Sequence, residues 1–296
     1  MGGTVQGVTG EYGLPGAAEA VQVRFGARSD VGRVRRVNED GILAAAGVFL
    51  VADGMGGHAK GDAASRAVVE IFAREADELT TPQLVLDAIE RSNDDVRLLS
   101  DVGEEGTAVA GTTLSGVAFV DAGDGSGFHW MVFNVGDSRV YRWDGRRLGQ
   151  VSVDHSAVQE LVDAGLLEQS EAENHPDRNI ITRAIGAEDD VDVDVWLIPA
   201  VGRQVFIVCS DGLSKEVDDD DIVRMLLSCE ASGPEDGAGI VDAANALVDE
   251  ALDRGARDNV SVVIVESRVG APAEVREATR DRDGGLRSLE DTRPRV

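Results

Sequence analysis

The sequence predicts a layered fold in which mainly antiparallel β-sheets are covered by α-helices. Short apolar runs of the kind found in buried strands recur between residues 21 and 265. Aspartate–glycine turns separate several of these runs, most clearly at 121–127, and strands joined by tight turns pair in antiparallel fashion. Longer segments repeat apolar residues on one helical face, and such a face has to be buried against a sheet or another helix.

The predicted elements follow from these two periodicities. The segments with strand character are Val21–Ala27, Ile42–Ala45, Val48–Ala52, Thr113–Val120, His129–Val135, Val140–Trp143, Val205–Cys209 and Val260–Val265. The predicted helices are Ala63–Leu79, Pro82–Leu99, Asp218–Leu227 and Glu235–Leu252. Thr81 is a suitable N-cap for the second helix, and the aspartates that open the third suit the positive end of its dipole.

The ends of the chain differ in composition from its centre. Residues 1–20 are rich in glycine and other small residues without a sustained period, which predicts a flexible leader. Residues 271–296 are charged, with six Arg against six Asp or Glu, and predict a disordered tail. One folded domain is therefore expected over residues 21–270, a size that supports a buried core.

Charge and hydropathy exclude several classes of function. The net charge of −27, from 55 acidic and 28 basic residues, argues against binding to nucleic acid or to an anionic membrane. No apolar run approaches the length of a membrane span, and the N-terminus lacks the pattern of a signal peptide, so we expect a cytoplasmic protein. Cys209 and Cys229 are expected to be free thiols, and neither has the spacing of a zinc site.

A small group of acidic residues borders the predicted strands. A carboxylate beside a buried strand costs free energy unless it is paired or bound to a cation. A single Asp-Gly is most often only a turn, but several such acids bordering different strands indicate a shared site. Ligands that are all oxygen favour Mg²⁺, Mn²⁺ or Ca²⁺ over zinc. The acids are Glu39, Asp40, Asp53, Asp137, Asp211 and Asp258.

The sequence does not support three other kinds of functional site. The aspartates at 190–194 resemble the start of an EF-hand loop, but Val195 stands where that loop needs glycine. The glycines after Asp53 are not followed by the GK[ST] of a phosphate-binding P-loop, and no G-x-S-x-G nucleophile elbow is present. Ser210 has no special context and is predicted to be a turn residue.

An ordered series of motifs carries a resemblance to a known family. The series resembles the bacterial PPM-type (phosphatase 2C) metal-dependent protein Ser/Thr phosphatases over about residues 21–268. The resemblance implies an α+β fold, a four-layer αββα sandwich with two central antiparallel sheets flanked by helices. The motifs are RRVNED (35–40), VADGMGGHAKGDAAS (51–65), AGTT (110–113), VGDSRVY (135–141), DHS (154–156), TRAIG (182–186), CSDGL (209–213) and RDNVS (257–261).

The resemblance also implies a centre with two Mn²⁺ or Mg²⁺ ions. In it, Asp53 bridges both ions and the backbone carbonyl of Gly54 completes one of them. Asp211 and Asp258 bind the second ion, and Glu39 serves that ion directly or through water. A water between the ions is then deprotonated near neutral pH, and the resulting hydroxide attacks phosphorus in line.

Further residues of the site follow from the same resemblance. Asp137 matches a residue linked to a third, more weakly bound metal ion. Asp40 is expected to orient the metal ligands without binding a metal ion itself. Arg35 is expected to clamp the phosphate, since a planar guanidinium binds two phosphate oxygens at once. His58 is the candidate general acid for the leaving oxygen. The segment Ala157–Ile181 is expected to form a mobile flap beside the cleft.

The function expected from this site is hydrolysis of phosphoserine and phosphothreonine in proteins. A pseudophosphatase that binds a phosphoprotein or kinase through the same cleft is the alternative, and a third interpretation treats the acids as ordinary surface charge scattered in space. A Ser/Thr kinase or a stress-response regulator suits the role of partner, and the protein is expected to be a monomer.

Overall fold

The architecture is described by a computed structural model over residues 5–14, 21–45, 47–56, 60–103, 106–108, 110–123, 125, 127–172, 175–232 and 238–269. The strands are β1 (Val5–Leu14), β2 (Val21–Asp30), β3 (Asp40–Ala45), β4 (Val48–Met55), β5 (Asp101–Gly103), β6 (Gly106–Ala108), β7 (Gly111–Thr112), β8 (Leu114–Asp121), β9 (Phe128–Val135), β10 (Arg139–Trp143), β11 (Leu148–Gln150), β12 (Asp194–Pro199), β13 (Gly202–Cys209) and β14 (Val260–Val269). The helices are α1 (Lys60–Glu75), α2 (Pro82–Leu98), α3 (Ala157–Asp163), α4 (Gln169–Ala172), α5 (Asp211–Ser214), α6 (Asp219–Ser232) and α7 (Ala238–Arg254).

Two antiparallel sheets form the centre of the molecule. The first sheet has the strand order β1-β2-β14-β13-β10-β11, and the second has the order β12-β9-β8-β4-β3, with β7 also pairing with β4. Strands β5 and β6 form a separate hairpin. The predicted turn at 121–127 joins the antiparallel pair β8 and β9, as expected.

Three hydrophobic layers hold the sandwich together. Phe49, Trp130 and Phe206 fill the layer between the two sheets. Side chains such as Val68 of α1 pack on the outer face of the second sheet together with α2, and side chains such as Leu247 of α7 pack on the outer face of the first sheet together with α6. Burying apolar surface on both faces of each sheet yields the four-layer αββα sandwich, and the predicted fold class is confirmed.

Helix starts follow the predicted capping. The hydroxyl of Thr81 accepts a hydrogen bond from the Leu84 N–H at 3.4 Å, and Pro82 opens α2. The side chain of Asp218 accepts from the Asp221 N–H at 2.8 Å at the start of α6. Helix α1 begins three residues before the predicted Ala63, and residues 233–237, at the predicted start of the last helix, lie outside the described part.

The prediction for residues 1–20 is wrong over Val5–Leu14, which form β1 and pair with β2 in antiparallel register, for example Thr9 opposite Gly26. Pairing at a sheet edge uses backbone N–H and C=O groups, so it does not require the apolar alternation that the sequence lacks here. Residues 1–4, 15–20 and the predicted tail 271–296 lie outside the described residues. The last strand ends at Val269, and the domain boundary near 270 stays a prediction.

The predicted flap, Ala157–Ile181, contains the two short helices α3 and α4. Its ends meet where Ser156 and Ile181 form an isolated antiparallel bridge. Across the described residues, no helix is long and apolar enough to cross a membrane.

Candidate metal centre

Five of the predicted acidic residues, contributed by both sheets, interact around Asp53. The Asp53 residue is half-buried, and desolvation of its carboxylate raises its pKa well above the ordinary value. The negative charges of Asp40, Asp211, Asp137 and Asp258 raise it further, so these groups lie within electrostatic reach of one another. The interpretation that the acids are scattered over the surface is therefore wrong.

Asp40 and Asp53 face each other across the pair β3–β4. Their Cα atoms are register partners, an arrangement in which like charges destabilise a sheet. The Asp40 Oδ2 atom accepts hydrogen bonds from the hydroxyls of Ser210 at 2.9 Å and Ser261 at 2.6 Å. Burial raises the pKa of Asp40 to about 7, although these two hydrogen bonds oppose that rise. One oxygen of Asp40 is thus fixed by two serine hydroxyls, and its role in orienting the metal ligands stays a prediction.

The backbone of Asp53 and Gly54 is fixed in a tight cradle. The Asp53 N–H donates to Thr113 Oγ1 at 3.0 Å, and the Asp53 carbonyl accepts from Thr112 Oγ1 at 2.9 Å. A Cβ on Gly54 would overlap the Gly61 carbonyl and come within 2.6 Å of the Glu39 carbonyl oxygen. Asp53 lies inside β4, which continues to Met55 and pairs with β7, and not at a strand end as the apolar run suggests.

Asp137 and Asp211 form the part of the site nearest to β9 and β13. Asp137 lies in the turn after β9, and burial together with the charge of Asp211 raises its pKa to about 7. Asp211 opens α5 directly after β13 and is ion-paired with Lys215 one helical turn later. Lys215 thereby supplies a positive charge to a cluster that otherwise contains like charges.

Asp258 and Glu39 complete the cluster beside an exposed arginine. Asp258 precedes β14 and accepts a hydrogen bond from Arg35 Nη2 at 2.7 Å. This hydrogen bond raises the pKa of the Arg35 guanidinium against the effect of partial burial, with further support from the charges of Glu39 and Asp53. The Glu39 carbonyl accepts from Ser65 Oγ at 2.5 Å, which ties the Glu39 backbone to α1.

His58, the candidate general acid, lies with residues 57–59 outside the described part of the chain. The structure therefore leaves its role as a prediction.

The residues present fit a hard divalent cation. Among the described residues, one oxygen each of Asp40, Asp137 and Asp211 is buried and receives no hydrogen bond. Buried carboxylate oxygens without donors, held close to other carboxylates, are the ligands that Mg²⁺ and Mn²⁺ take. Within the described part of the chain, no three His, Cys, Asp or Glu side chains are grouped closely enough to enclose a metal position. Two of the acids, Asp258 and Asp211, are ion-paired with Arg35 and Lys215.

Sequence reasoning missed three residues of the site. Ser210, predicted to be a turn residue, and Ser261 bind Asp40, and Lys215 neutralises Asp211. The spacing of Asp211 and Lys215 at i and i+4 is a signal that could have been used once the helix was assigned. The serines carry no such signal, because their partner is distant in sequence.

Comparison with known proteins gives the family of the chain. Residues 36–232 match the sequence model of the family described as protein phosphatase 2C. The serine/threonine protein phosphatase PstP of Mycobacterium tuberculosis is 35% identical over 246 residues, covering 82% of this chain and 45% of PstP. The serine/threonine phosphatase stp of Listeria monocytogenes is 33% identical over 256 residues, covering 81% of this chain and 94% of that relative.

A solved structure of a relative has the same fold and contains metal ions. The catalytic domain of PstP in complex with two manganese ions superposes with a TM-score of 0.67 at 32% identity, covering 84% of this chain and 100% of that structure. This chain spans less than half the length of full PstP, at 45%. By its sequence match, its relatives and its αββα fold, the chain belongs to the protein phosphatase 2C family of metal-dependent protein Ser/Thr phosphatases.

Proposed function

We propose that this chain hydrolyses phosphoserine and phosphothreonine in proteins, with the carboxylate cluster around Asp53 holding the metal ions. The observation that carries the proposal is the convergence of largely desolvated carboxylates from both sheets around Asp53, beside an exposed Arg35. Such a cluster is unstable without cations, and the arginine supplies a binding group for an anionic substrate.

Two Mn²⁺ or Mg²⁺ ions, when bound, supply a water acidic enough to act as the nucleophile near neutral pH. Asp53 and the Gly54 carbonyl are the proposed ligands from the second sheet. Asp211 and Asp258 are the proposed ligands from the first sheet. Glu39, which precedes β3 of the second sheet, is the proposed ligand of the same ion as Asp211 and Asp258, directly or through water. Asp137, whose pKa is raised by burial and by Asp211, is the proposed ligand of a third, weaker ion.

Arg35 is the proposed phosphate clamp. Its side chain is 50% exposed, and its ion pair with Asp258 is accessible to solvent. Exposed ion pairs contribute little free energy, so exchanging the carboxylate for a phosphate costs little. A planar guanidinium then holds two phosphate oxygens while the leaving oxygen departs. His58 remains the proposed donor of the proton to that oxygen.

The biological setting is part of the proposal. PstP of M. tuberculosis and stp of L. monocytogenes are serine/threonine phosphatases by name. By analogy we place this chain in bacterial signalling, as a cytoplasmic monomer that acts on phosphorylated proteins, with a Ser/Thr kinase or a stress-response regulator as partner.

The test is hydrolysis of p-nitrophenyl phosphate and of a phosphothreonine peptide in the presence of Mn²⁺. Asp211→Ala is expected to lower kcat/KM by about 100-fold or more, because a metal ligand is lost. Asp253→Ala, which removes an exposed aspartate of α7, is the matched control and is expected to keep wild-type activity. An inactive wild type, or equal activity in wild type and Asp211→Ala, would refute the proposal. Binding of the peptide without hydrolysis would instead favour the pseudophosphatase alternative.

A further inference from the structure

The segment that carries Arg35 is an exposed loop between β2 and β3. Residues 33–37 are all exposed and belong to no helix or strand. An exposed loop without regular hydrogen bonding does not fix a side chain by itself. The ion pair with Asp258 holds the guanidinium of Arg35, but the backbone of this loop needs a separate support beside the carboxylate cluster.

One buried side chain, Asn259, binds this loop at both of its ends. Its Nδ2 atom donates to the Val31 carbonyl and to the Val37 carbonyl, both at 3.0 Å. Its Oδ1 atom accepts the Glu39 N–H at 2.9 Å. Asn259 is only 4% exposed, so these hydrogen bonds are shielded from water and stronger than exposed ones.

The amide is the group that satisfies all three partners at this position. Reversing the amide would aim its oxygen at two carbonyl oxygens and its NH₂ at an N–H, so the backbone partners fix the orientation. Aspartate would keep the acceptor for Glu39 and lose both donors. Serine would keep one donor and shorten the side chain.

The backbone around Asn259 is in close contact with the same loop. The Arg33 N–H donates to the Ala256 carbonyl at 2.8 Å. Gly32 has φ +77°, and a Cβ there would overlap the Asp258 carbonyl. On its other side, a Cβ on Gly212, next to Asp211, would overlap the Asn259 carbonyl. Asn259 thus lies where the loop of Arg35 and the turn of Asp211 meet.

We infer that Asn259 is a positioning residue that fixes Arg35 and Glu39 relative to the metal cluster. It acts through the backbone of Val31, Val37 and Glu39 and touches neither the substrate nor a metal. The inference rests on the proposed function for its kinetic consequence. Its structural consequence, a fixed loop at 32–37, is measurable without any enzymatic activity.

Asn93 offers a matched control elsewhere in the fold. It is 2% exposed and makes the same pattern of bonds. Its Nδ2 donates to the carbonyls of Glu188 and Asp189 at 3.0 and 3.2 Å, and its Oδ1 accepts the Gly186 N–H at 2.7 Å. Serine at either position therefore removes an equivalent set of buried hydrogen bonds, but only Asn259 ties down Arg35.

The kinetic test compares Asn259→Ser and Asn93→Ser with p-nitrophenyl phosphate and Mn²⁺. Asn259→Ser is expected to raise KM about tenfold, the effect of losing one or two buried hydrogen bonds that orient the clamp, and to raise the Mn²⁺ concentration for half-maximal rate. Both variants are expected to lower Tm by similar amounts, but Asn93→Ser should leave KM unchanged. In an Arg35→Ala background, Asn259→Ser is expected to raise KM by less than about twofold, because the clamp is already absent.

The structural test is limited proteolysis with trypsin, which cleaves after Arg33, Arg35 and Arg36. Asn259→Ser is expected to be cut in this loop about tenfold faster than wild type, and Asn93→Ser at the wild-type rate. If Asn259→Ser does not fold, Asn259→Asp, which keeps the volume and the acceptor for Glu39, is measured instead with the same expectations.

Three outcomes would overturn the inference. The first is that KM and the loop cleavage rate are unchanged in the Asn259 variant. The second is that KM rises equally in Asn93→Ser. The third is that Asn259→Ser raises KM by the full tenfold in the Arg35→Ala background. An inactive wild type combined with faster loop cleavage in Asn259→Ser alone would refute the proposed function and leave the positioning role supported.

Discussion

Lys215 competes with metal ions for Asp211. Burial lowers the pKa of Lys215, but the charge and hydrogen bond of Asp211 outweigh burial and raise that pKa above its ordinary value. The ammonium also interacts with Asp137 and Asp53, so its positive charge stabilises the metal-free cluster as a whole. A cation that stabilises the cluster without metal must oppose metal binding by the same interactions.

Removing this ammonium is therefore expected to tighten metal binding. Lys215→Ala should bind Mn²⁺ about tenfold more tightly in calorimetric titration and should have a lower Tm in EDTA than wild type. Lys60→Ala is the control, since Lys60 is the other lysine of the chain and donates to the Leu99 carbonyl at 3.3 Å. Weaker Mn²⁺ binding by Lys215→Ala would show that Lys215 helps to build the metal site.

The two thiols are expected to differ in reactivity. Both cysteines are free, as predicted, with Cys209 buried in β13 and Cys229 half-buried in α6. Burial raises the pKa of Cys209 to about 12, so almost no thiolate forms at pH 8. A disulfide reagent should titrate one thiol per native chain and two after unfolding, and Cys229→Ser should leave none reactive in the native state. Rapid reaction of two native thiols would contradict the burial of Cys209.

The contact between β4 and α1 depends on two glycines. Gly54 and Gly61 face each other so closely that a Cβ on Gly61 would come within 2.8 Å of the Gly54 carbonyl carbon. A methyl group at either position must therefore push the helix away from the strand that carries Asp53. The position of the first metal ligand thus depends on how closely α1 approaches β4.

Gly54→Ala is expected to lower the free energy of unfolding by about 2 kcal/mol or more, measured by urea denaturation. It should also weaken Mn²⁺ binding, because the displaced carbonyl is a proposed ligand. Gly149→Ala in β11 is the control, since nothing lies within 4 Å of a Cβ there, and its effect should stay within about 0.5 kcal/mol. If Gly54→Ala behaved like Gly149→Ala, the close approach would not limit the fold.

The elements that sequence predicted well are those with an apolar period, such as Val48–Ala52 within β4 and the helix that begins at Pro82. The continuation of β4 through Asp53 and Gly54 was missed, because both residue types are depleted in strands and the strand is extended by pairing with β3 at Asp53 and with β7 at Gly54. β1 was missed because edge pairing uses the backbone. The local sequence pattern therefore predicts the elements that form by burying apolar side chains. It fails for the segments that become strands only through main-chain pairing.

At the level of the molecule, the site joins the two sheets. Asp40 belongs to the second sheet, and its hydroxyl partner Ser261 belongs to β14 of the first. The acids themselves could be predicted from the sequence, since each borders an apolar run. The partners of Asp40 could not, because Ser210 is 170 positions away and its role exists only after the sheets pack. The metal site is thus also a contact that fixes one sheet against the other.

The buried acids make the stability of the metal-free protein depend on pH. The pKa values of Asp40 and Asp137 are about 7 in the folded state, raised mainly by burial. In the unfolded chain an aspartate has a pKa of about 3.9. Between these values the folded state binds more protons than the unfolded state, so stability is highest below the unfolded pKa and is lost as pH rises through the folded pKa.

In EDTA, the free energy of unfolding is therefore expected to fall as pH is raised from about 5 to 8, as measured by urea denaturation. Saturating Mn²⁺ should flatten this slope, because bound cations replace the protons. The net charge of −27 gives a similar trend through surface repulsion, but about 0.5 M NaCl screens exposed charges and leaves buried ones largely unaffected. A slope that vanishes in salt, or one that persists unchanged in Asp137→Asn, would assign the effect to surface charge and not to the metal site.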